Sequence, residues 1–275
     1  MKILSKNILV DASGVRITRL EVDSPDIAAA AQPGQFVLLM VTEEGERIPL
    51  TIVDSDKGRG SITLIVQELG YTTRLLGRRQ AGDSLYSLAG PLGRPTEIRR
   101  YGKVAVVGGG VGIAEIWPVA RALKAAGNEL TSILGARSKG LMILEKEMAA
   151  CSDRTFLCTD DGTLGEKGFV SNVLSKLLEK ERFDLVYCVG PLPMMRVVSD
   201  VTRPFGVKTL VCLNTIMLDG TGMCGGCRLT EGGETKFCCV DGPEFDGHRV
   251  DFNELLQRQK RFLFEEKRAL EKPAK

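Results

Sequence analysis

The sequence lacks a strong net charge, a long apolar run and a signal peptide. Its 37 lysines and arginines nearly balance 35 aspartates and glutamates, and the net charge of +2 argues against a nucleic-acid partner. No segment approaches the roughly 18 consecutive apolar residues that a membrane-spanning helix needs. Polar residues interrupt the opening MKILSKNILVD before a signal-peptide core can form. We therefore expect a cytoplasmic protein that binds neither nucleic acid nor a membrane.

Histidine is nearly absent, because His248 is the single one in the chain. As a ligand it would indicate a zinc or Rieske-type site, and otherwise it is a surface residue. Cysteine is plentiful by comparison, with eight residues. A reducing cytosol disfavours disulfides, so clustered cysteines indicate metal ligands. The four scattered cysteines are expected to be small buried apolar side chains: Cys151, Cys158, Cys188 and Cys212.

The apolar pattern divides the chain into four predicted parts. Residues 1–97 read as short alternating strands with Gly, Pro and Asp between them, which favours an antiparallel β-barrel. Residues 98–213 alternate strands with helices, which is typical of a doubly wound parallel sheet. One of those helices is predicted over 141–150. Residues 214–250 form a Cys- and Gly-rich subdomain, and 251–275 hold one amphipathic helix.

The Cys- and Gly-rich segment has the spacing of a metal site that lacks one ligand. Cys224 and Cys227 form a C-x-x-C pair, and Cys239 follows after eleven intervening residues. Cys238 is the rival of Cys239, but adjacent residues of an extended segment point apart, so both are not expected to bind one cluster. A structural zinc that uses these cysteines and His248 is the alternative to an iron–sulfur cluster.

A glycine-rich turn joins the first strand and helix of the predicted parallel sheet. In VVGGGVGIA, Ile113 occupies the position of the third fingerprint glycine. Such a turn lets backbone amides approach a pyrophosphate, although any α/β domain can contain a tight turn there. Asp160 and Asp161 either cap a turn or bind ribose hydroxyls. The candidate nucleotide-binding residues of this turn and of later strand ends are Gly108, Gly109, Gly110, Gly112, Ile113, Gly135, Arg137, Asp160, Asp161, Gly162, Gly190, Pro191 and Met194.

Three motifs of the first 97 residues suit a flavin. Arg47-x-Pro49-Leu50-Thr51 ends a strand, Gly70-x-Thr72-Thr73 opens a short helix, and Gly90-Pro91-Leu92-Gly93 follows. A hydroxyl beside a flavin ring can hydrogen-bond its reactive nitrogen, and a helix start can hold a pyrophosphate.

The order and spacing of all these motifs resemble the ferredoxin–NADP reductase superfamily. The resemblance implies an FAD-binding barrel at 1–97, an NAD(P)-binding domain at 98–213 and a [2Fe–2S] cluster subdomain at 214–250. It implies that Thr51 contacts the isoalloxazine as the catalytic residue. The other FAD-binding residues implied are Arg47, Pro49, Leu50, Val66, Gly70, Thr72, Thr73 and Gly90. Two positions depart from the superfamily, since Ile48 replaces the usual arginine and Glu115 replaces a proline.

The terminal segment is similar to two narrower families: the electron-transfer subunits of dihydroorotate dehydrogenase, and the small subunits of electron-bifurcating NADH-dependent reduced ferredoxin:NADP oxidoreductases. The first family carries C-x4-C-x2-C-x11-C, and that spacing places Asp219 at the first ligand position here. The resemblance therefore implies Asp219, Cys224, Cys227 and Cys239 as ligands. The strings GARSKGLMILEKEM and TDDGTLGEKGFVSNVL favour the second family.

The second family implies a heterodimer with a larger flavoprotein and iron–sulfur subunit, which exchanges electrons with ferredoxin in a direction that the sequence does not fix. It also implies NAD(H) on this chain, whereas Arg137 and Lys139 suit the 2′-phosphate of NADP(H). The alternatives are an electron-transfer subunit of dihydroorotate dehydrogenase or of a related sulfide dehydrogenase or hydrogenase, and a sensor module with a zinc-stabilised tail. The C-terminal helix either packs on its own chain or docks the larger subunit.

Overall fold

The computed structural model describes residues 1–271 and divides the chain into two compact units. The β unit contains Met1–Arg94, Asn214–Asp241 and the residues from Asp251 on. The α/β unit contains Pro95–Leu213 and Gly242–Val250. The predicted cluster subdomain, 214–250, is therefore divided between the two units. Residues 272–275 of the predicted C-terminal helix lie outside the described residues.

The first part of the β unit consists of antiparallel strands around one apolar core. Its elements are β1 (Ile3–Ala12), β2 (Val15–Asp23), α1 (Pro25–Ala30), β3 (Phe36–Met40), β4 (Ile48–Thr51), β5 (Asp54–Asp56), β6 (Ser61–Gln67), α2 (Tyr71–Arg78) and β7 (Ser87–Leu92). The strands form two sheets, β1-β2-β6-β5 and β4-β3-β7. Leu20, Leu39 and Leu64 belong to one buried cluster that both sheets share. Alternating apolar residues produce this core because every second side chain faces inward.

The α/β unit repeats strand and helix around a parallel sheet. Its elements are β8 (Lys103–Gly109), α3 (Gly112–Ala125), β9 (Glu129–Ala136), α4 (Glu145–Ala150), β10 (Arg154–Thr159), β11 (Glu166–Lys167), α5 (Val170–Leu178), β12 (Leu185–Val189), α6 (Leu192–Thr202) and β13 (Lys208–Cys212). The central strands β8, β9 and β12 are buried almost throughout, as continuous apolar runs such as Val104–Val107 require, whereas β11 at one edge is exposed. This confirms the predicted fold class.

The last part of the chain adds short elements to both units. These are β14 (Arg228–Glu231), β15 (Glu234–Phe237), α7 (Cys238–Asp241), β16 (Glu244–Asp246), α8 (Phe252–Arg258) and α9 (Leu263–Glu271). β14 and β15 form a hairpin in the β unit. β16 joins the sheet of the α/β unit as its antiparallel edge strand, which gives the order β11-β10-β9-β8-β12-β13-β16.

Two predicted helices are wrong in extent. The helix predicted over 141–150 begins only at Glu145, because Leu144 has a φ of 52° and the preceding residues make one 3₁₀ turn. Leu141, Leu144 and Met148 are buried, and their i, i+3, i+7 spacing imitates a helical face. The single helix predicted from Asp251 is two helices, α8 and α9. Phe252 and Leu255 of α8 are buried, whereas no residue of α9 is.

No helix among the described residues combines the length and the apolar character that crossing a bilayer requires.

Candidate functional site

The segment Leu218–Cys227, called the cysteine loop below, lies on the strands of the β unit. A Cβ atom at Gly220 would lie 2.8 Å from the side chains of both Leu38 and Leu92, which belong to β3 and β7. Arg47, just before β4, donates a hydrogen bond from Nη1 to the Leu218 carbonyl oxygen over 3.0 Å. The loop is therefore anchored to the strand that carries the predicted flavin motif.

The four predicted ligands form two pairs. The Sγ atoms of Cys227 and Cys239 are 3.3 Å apart, and these residues are 2% and 1% exposed. Asp219 accepts a hydrogen bond on Oδ2 from the Cys224 amide over 3.0 Å, and one on Oδ1 from the Thr221 amide over 2.9 Å. These backbone hydrogen bonds lower the pKa of the Asp219 carboxyl below its ordinary value. Asp219 is thus an ionised carboxylate beside Cys224.

Cys238 and Cys239 lie on a helical turn, α7, and not on the extended segment that the sequence suggested. Both residues contact Cys227, but with different atoms. The Cys238 amide donates to the Cys227 carbonyl oxygen over 3.2 Å, whereas the Cys239 amide donates to the Cys227 Sγ over 3.5 Å and the two sulfurs are 3.3 Å apart. Burial raises the pKa of both thiols to about 12. The sulfur of Cys239 therefore lies beside that of a second predicted ligand.

The donor set fits a two-iron cluster better than a single ion. Among the described residues, no three His, Cys, Asp or Glu side chains gather as one ion would require. His248 belongs to the other unit, where its Nε2 is 2.8 Å from the Thr202 hydroxyl. A [2Fe–2S] centre instead takes two protein ligands on each iron. The Asp219–Cys224 and Cys227–Cys239 pairs match that division.

Arginines bind the turn between the two C-x-x-C cysteines. Arg258 donates from Nη2 to the Gly226 carbonyl oxygen over 2.9 Å, and Arg228 donates from Nη1 to that of Gly225 over 3.3 Å. The Gly226 amide lies 3.4 Å from the Cys224 Sγ. Partial burial and the positive charges of Arg228 and Arg261 lower the pKa of Arg258.

The predicted flavin residues surround the start of α2 and the end of β4. Gly70 precedes α2 and faces open space, so a phosphate can approach the first-turn amides. The Thr73 hydroxyl accepts hydrogen bonds from the Leu69 and Gly70 amides and thereby holds this helix start. The Thr72 hydroxyl donates to Glu46 over 2.7 Å. These contacts fit a preformed phosphate cradle.

The remaining residues of the predicted flavin set belong to paired strands. Pro49, Leu50 and Thr51 lie on β4 opposite Leu38, Val37 and Phe36 of β3. Val66 is buried on β6, and a Cβ atom at Gly90 of β7 would lie 2.8 Å from Val37. Arg47 alone has its side chain directed to the cysteine loop.

The glycine turn between β8 and α3, called the glycine loop below, lies where parallel strands end. A Cβ atom at Gly112 would lie 2.6 Å from the Val189 carbonyl oxygen, whereas Gly110 faces open space with a φ of 58°. Gly109 and Gly190 both lie against the side chain of Met194. The predicted residues of β8, α3 and the β12–α6 turn are therefore brought together around a cradle that fits a pyrophosphate.

The predicted residues after β9 and β10 also meet. The Asp160 amide donates to the Ala136 carbonyl over 3.1 Å, and the Asp161 amide donates to that of Arg137 over 3.2 Å. The Asp161 carboxylate accepts from the Thr163 amide and hydroxyl, so it caps its own turn. Gly162 has a φ of 78° in this turn, and Gly135 packs against Val170 of α5. Cys188 is buried in β12, where burial raises its pKa, and it has no position at this edge.

Sequence reasoning missed four charged residues. Arg228 and Arg258 reach the C-x-x-C turn from 3 and 32 residues away, and Glu46 bonds Thr72 from 26. These are tertiary contacts without a spacing rule. Glu115 was noticed only as a departure from the superfamily; desolvation raises the pKa of its carboxyl to about 7 in the first turn of α3. An acidic residue directly after a glycine turn was the available signal.

Known proteins match both the whole chain and its last part. The model of the iron–sulfur cluster binding domain of dihydroorotate dehydrogenase B matches residues 214–251. A Thermotoga maritima protein described as a dihydroorotate dehydrogenase B (NAD(+)) electron transfer subunit homolog is 47% identical over 251 residues, which cover 91% of this chain and 89% of that protein.

Solved structures share the fold. A chain of the NADH-dependent reduced ferredoxin-NADP oxidoreductase, studied for flavin-based electron bifurcation, superposes with a TM-score of 0.93 at 42% identity; the match covers 98% of this chain and 96% of that one. A ferredoxin-NADP+ reductase from Plasmodium falciparum, at 14% identity and a TM-score of 0.60, covers 74% of this chain and 88% of its own. The second likeness shows the fold alone.

Proposed function

This chain belongs to the family of dihydroorotate dehydrogenase B electron-transfer subunits, and we propose that it is the small subunit of an electron-bifurcating NADH/ferredoxin/NADPH oxidoreductase. As a family member, it is an oxidoreductase subunit that uses FAD, a [2Fe–2S] cluster and a nicotinamide nucleotide, and it works with a larger catalytic subunit. The finer assignment is supported by a match along nearly the full length of both chains.

The observation that carries this proposal is the carboxylate at the first ligand position. Asp219 lies beside Cys224, and its ionised carboxylate has oxygen lone pairs left after the two backbone hydrogen bonds. Iron accepts carboxylate oxygen more readily than a soft metal does. We assign Asp219 and Cys224 to one iron, and Cys227 and Cys239 to the other. An aspartate here separates the bifurcating small subunits from the four-cysteine dihydroorotate relatives.

Different residues of this chain are assigned to the steps that convert two-electron transfer into one-electron transfer. When bound, FAD accepts the two electrons of a hydride and the cluster takes them singly. Thr51 is assigned to hydrogen-bond the flavin ring, and the amides at the start of α2 bind the FAD phosphates. The glycine loop binds the nucleotide pyrophosphate. Arg47 joins the flavin strand to the cysteine loop through Leu218, so both sites share one anchored backbone.

The nucleotide assigned to this chain is NAD(H). The resemblance to the bifurcating small subunits supports it, whereas Arg137 and Lys139 favour a 2′-phosphate. The side chains of both residues are exposed, and neither forms an ion pair among the described residues. Competitive binding of NADH and NADPH to the purified chain measures the preference. We expect tighter binding of NADH; tighter binding of NADPH would reverse the assignment.

A dihydroorotate dehydrogenase electron-transfer subunit is the second candidate. It is favoured by the family match over residues 214–251 and by the name of the Thermotoga relative. Purification of the tagged chain from its own cells discriminates the two. We expect a larger iron–sulfur flavoprotein to accompany it. A dihydroorotate-oxidising flavoprotein in its place would establish the alternative, and a sulfide dehydrogenase or hydrogenase subunit would establish a further relative.

The proposal is tested first by anaerobic purification with iron, sulfide and flavin analysis. We expect two irons, two sulfides and one FAD per chain, with a rhombic EPR signal after dithionite reduction. Asp219→Ala should lose or loosen the cluster and keep FAD. Asp219→Asn retains a side-chain oxygen that can accept a hydrogen bond from the backbone, but it removes the negative charge of the ligand. It therefore separates loss of cluster binding from loss of loop folding. An unchanged spectrum in both variants would remove Asp219 from the ligand set, and a colourless zinc protein would indicate the sensor.

The C-terminal region offers one candidate helix for each of the two predicted roles. Helix α8 buries Phe252 and Leu255 on its own chain, whereas α9 touches α2 but buries no residue, and its Phe264 is 68% exposed. We propose α9 as the part that docks the larger subunit. Truncation after Phe262 should weaken complex assembly without lowering the FAD content of the chain. Full assembly of the truncated chain would remove docking from α9.

A further inference from the structure

A cavity of about 220 Å³ lies beside the cysteine loop. Its lining includes three arginines, Arg228, Arg258 and Arg261, and the part of the loop from Cys224 to Gly226. The side chain of Cys224 is exposed, unlike those of the other assigned cysteine ligands. Positive charge is therefore concentrated next to the accessible end of the assigned cluster site.

Two of the three arginines also fix the peptide units of the C-x-x-C turn. Arg258 binds the carbonyl of Gly226 and Arg228 binds that of Gly225, so both residues between the cysteines have carbonyls held by cations. The amide of Gly226 is then directed to the Cys224 sulfur, 3.4 Å away. Carbonyl dipoles that point toward guanidinium groups and an amide that points toward sulfur both create positive potential at the ligand.

The three cations lack anionic partners within the described part of the chain. None of them forms an ion pair there, although Glu254 lies close enough to Arg258 to influence its pKa. Arg258 is half-buried, and Arg228 and Arg261 are exposed. Three like charges that line one cavity repel one another, and an anion next to them offsets that repulsion. A [2Fe–2S] centre with three thiolates and one carboxylate is anionic, and it gains one negative charge on reduction.

We propose that Arg228, Arg258 and Arg261 form a cationic clamp that retains the cluster and raises its reduction potential. The clamp residues are positioning residues, since two of them act through the backbone of the turn and the third through its charge. The step that they favour is a one-electron reduction of the cluster, in which the electron comes from the reduced flavin of the same chain. The inference rests on the proposed function, and it adds that the electrostatic field around the cluster favours the reduced state.

The test is an EPR-monitored redox titration of the full-length chain loaded with FAD and cluster. Arg258→Gln should lower the equilibrium constant for cluster reduction about tenfold, which corresponds to a shift of 59 mV for a one-electron couple. Arg258→Lys keeps the charge and should recover most of the potential. Arg16→Gln is the matched control, because it removes one exposed cation of the same unit that pairs with Asp11 and not with the loop.

A second variant covers the case in which Arg258→Gln loses its cluster. Arg261→Gln removes a charge without removing a hydrogen bond to the turn. It should therefore keep the iron and still lower the equilibrium constant for cluster reduction severalfold. Potentials equal to the parent in both Gln variants would overturn the clamp. If the parent chain itself contains no [2Fe–2S] signal, the proposed function fails first; a normal parent with unresponsive variants refutes only the clamp.

Discussion

In the glycine loop, neighbouring atoms exclude a side chain, whereas in the cysteine loop the backbone itself turns left-handed. Gly112 has an ordinary φ, but a Cβ atom there would meet the backbone of Val189 at 2.6 Å. Gly225 has a φ of 66°, and the nearest atom to its added Cβ would be Phe237 Cε1 at 3.8 Å. The first glycine provides a close helix–strand approach, and the second provides a turn. A string of glycines therefore has two physical meanings.

The largest effect is expected on cluster content, when a cysteine that pairs with the cysteine loop is replaced. Cys239→Ser should remove the cluster, because it deletes the thiol that lies 3.3 Å from the Cys227 sulfur. Cys238→Ser is the matched control and should keep two irons per chain. Iron and sulfide analysis with EPR measures both. Loss of the cluster in the Cys238 variant alone would exchange the assignments.

The next effect tests the packing role of the glycine loop. Gly112→Ala should lower the free energy of unfolding by about 3 kcal/mol, because a backbone carbonyl cannot yield to the new methyl group. Gly127→Ala should cost about 1 kcal/mol, since that site is open and only its φ of 83° opposes alanine. Urea unfolding followed by the fluorescence of Trp117, the single tryptophan, measures both. Equal losses of unfolding free energy in the two variants would contradict the distinction between a steric clash at Gly112 and backbone strain at Gly127.

A smaller effect tests the turn role of the cysteine loop. Gly225→Ala should destabilise the loop by about 1 kcal/mol, and Gly225→Asn by less, because asparagine tolerates left-handed backbone. Gly226→Ala is the control, since its φ is not positive and its nearest atom, Cys224 Sγ, lies 3.5 Å from the new Cβ. The rate of iron release to a chelator reports the difference. Identical rates for the Ala and Asn variants would contradict the backbone explanation.

The smallest effect concerns pH at the helix that follows the glycine loop. Desolvation raises the pKa of Glu115 to about 7, so the folded state binds this proton more tightly than the unfolded state does. The stability that protonated Glu115 contributes is complete below its ordinary pKa and disappears as pH rises through 7. We expect Glu115→Gln to reduce the loss of stability between pH 5 and pH 8 by about 1 kcal/mol, since partial solvent contact weakens the effect. Parallel profiles of unfolding free energy against pH for the parent chain and Glu115→Gln would contradict the raised pKa of Glu115.

The alternating half of the molecule could be predicted from the sequence because each of its elements has a local signal. The buried strand Val104–Val107 is a continuous apolar run, and the predicted helix α3 follows it. The order of strands then follows from the parallel connections. The helix before Glu145 failed because buried apolar residues imitated a helical face. Buried apolar side chains can thus follow a helical spacing in the sequence where the backbone forms no helix.

The cysteine region could be given candidate ligands from its sequence, whereas its shape could not be predicted. Ligand spacing is a local property, so Cys224, Cys227 and Cys239 could be named from the sequence alone. β14 and β15 have too few apolar residues to signal strands, although the Gly232-Gly233 pair between them was an available hairpin signal. The contacts of Arg258 and Arg47 with the loop depend on tertiary packing, and no sequence spacing announces them.

The division of residues 214–251 between two folding units has a consequence for moving this segment to another chain. The segment that the family model recognises as one domain supplies a ligand loop and hairpin to the β unit, and then the edge strand β16 to the α/β unit. Its loop also needs Leu38 and Leu92 as a floor. The same segment, moved to another chain without the strands that it contacts, would lack both the floor of its loop and the sheet edge that β16 completes.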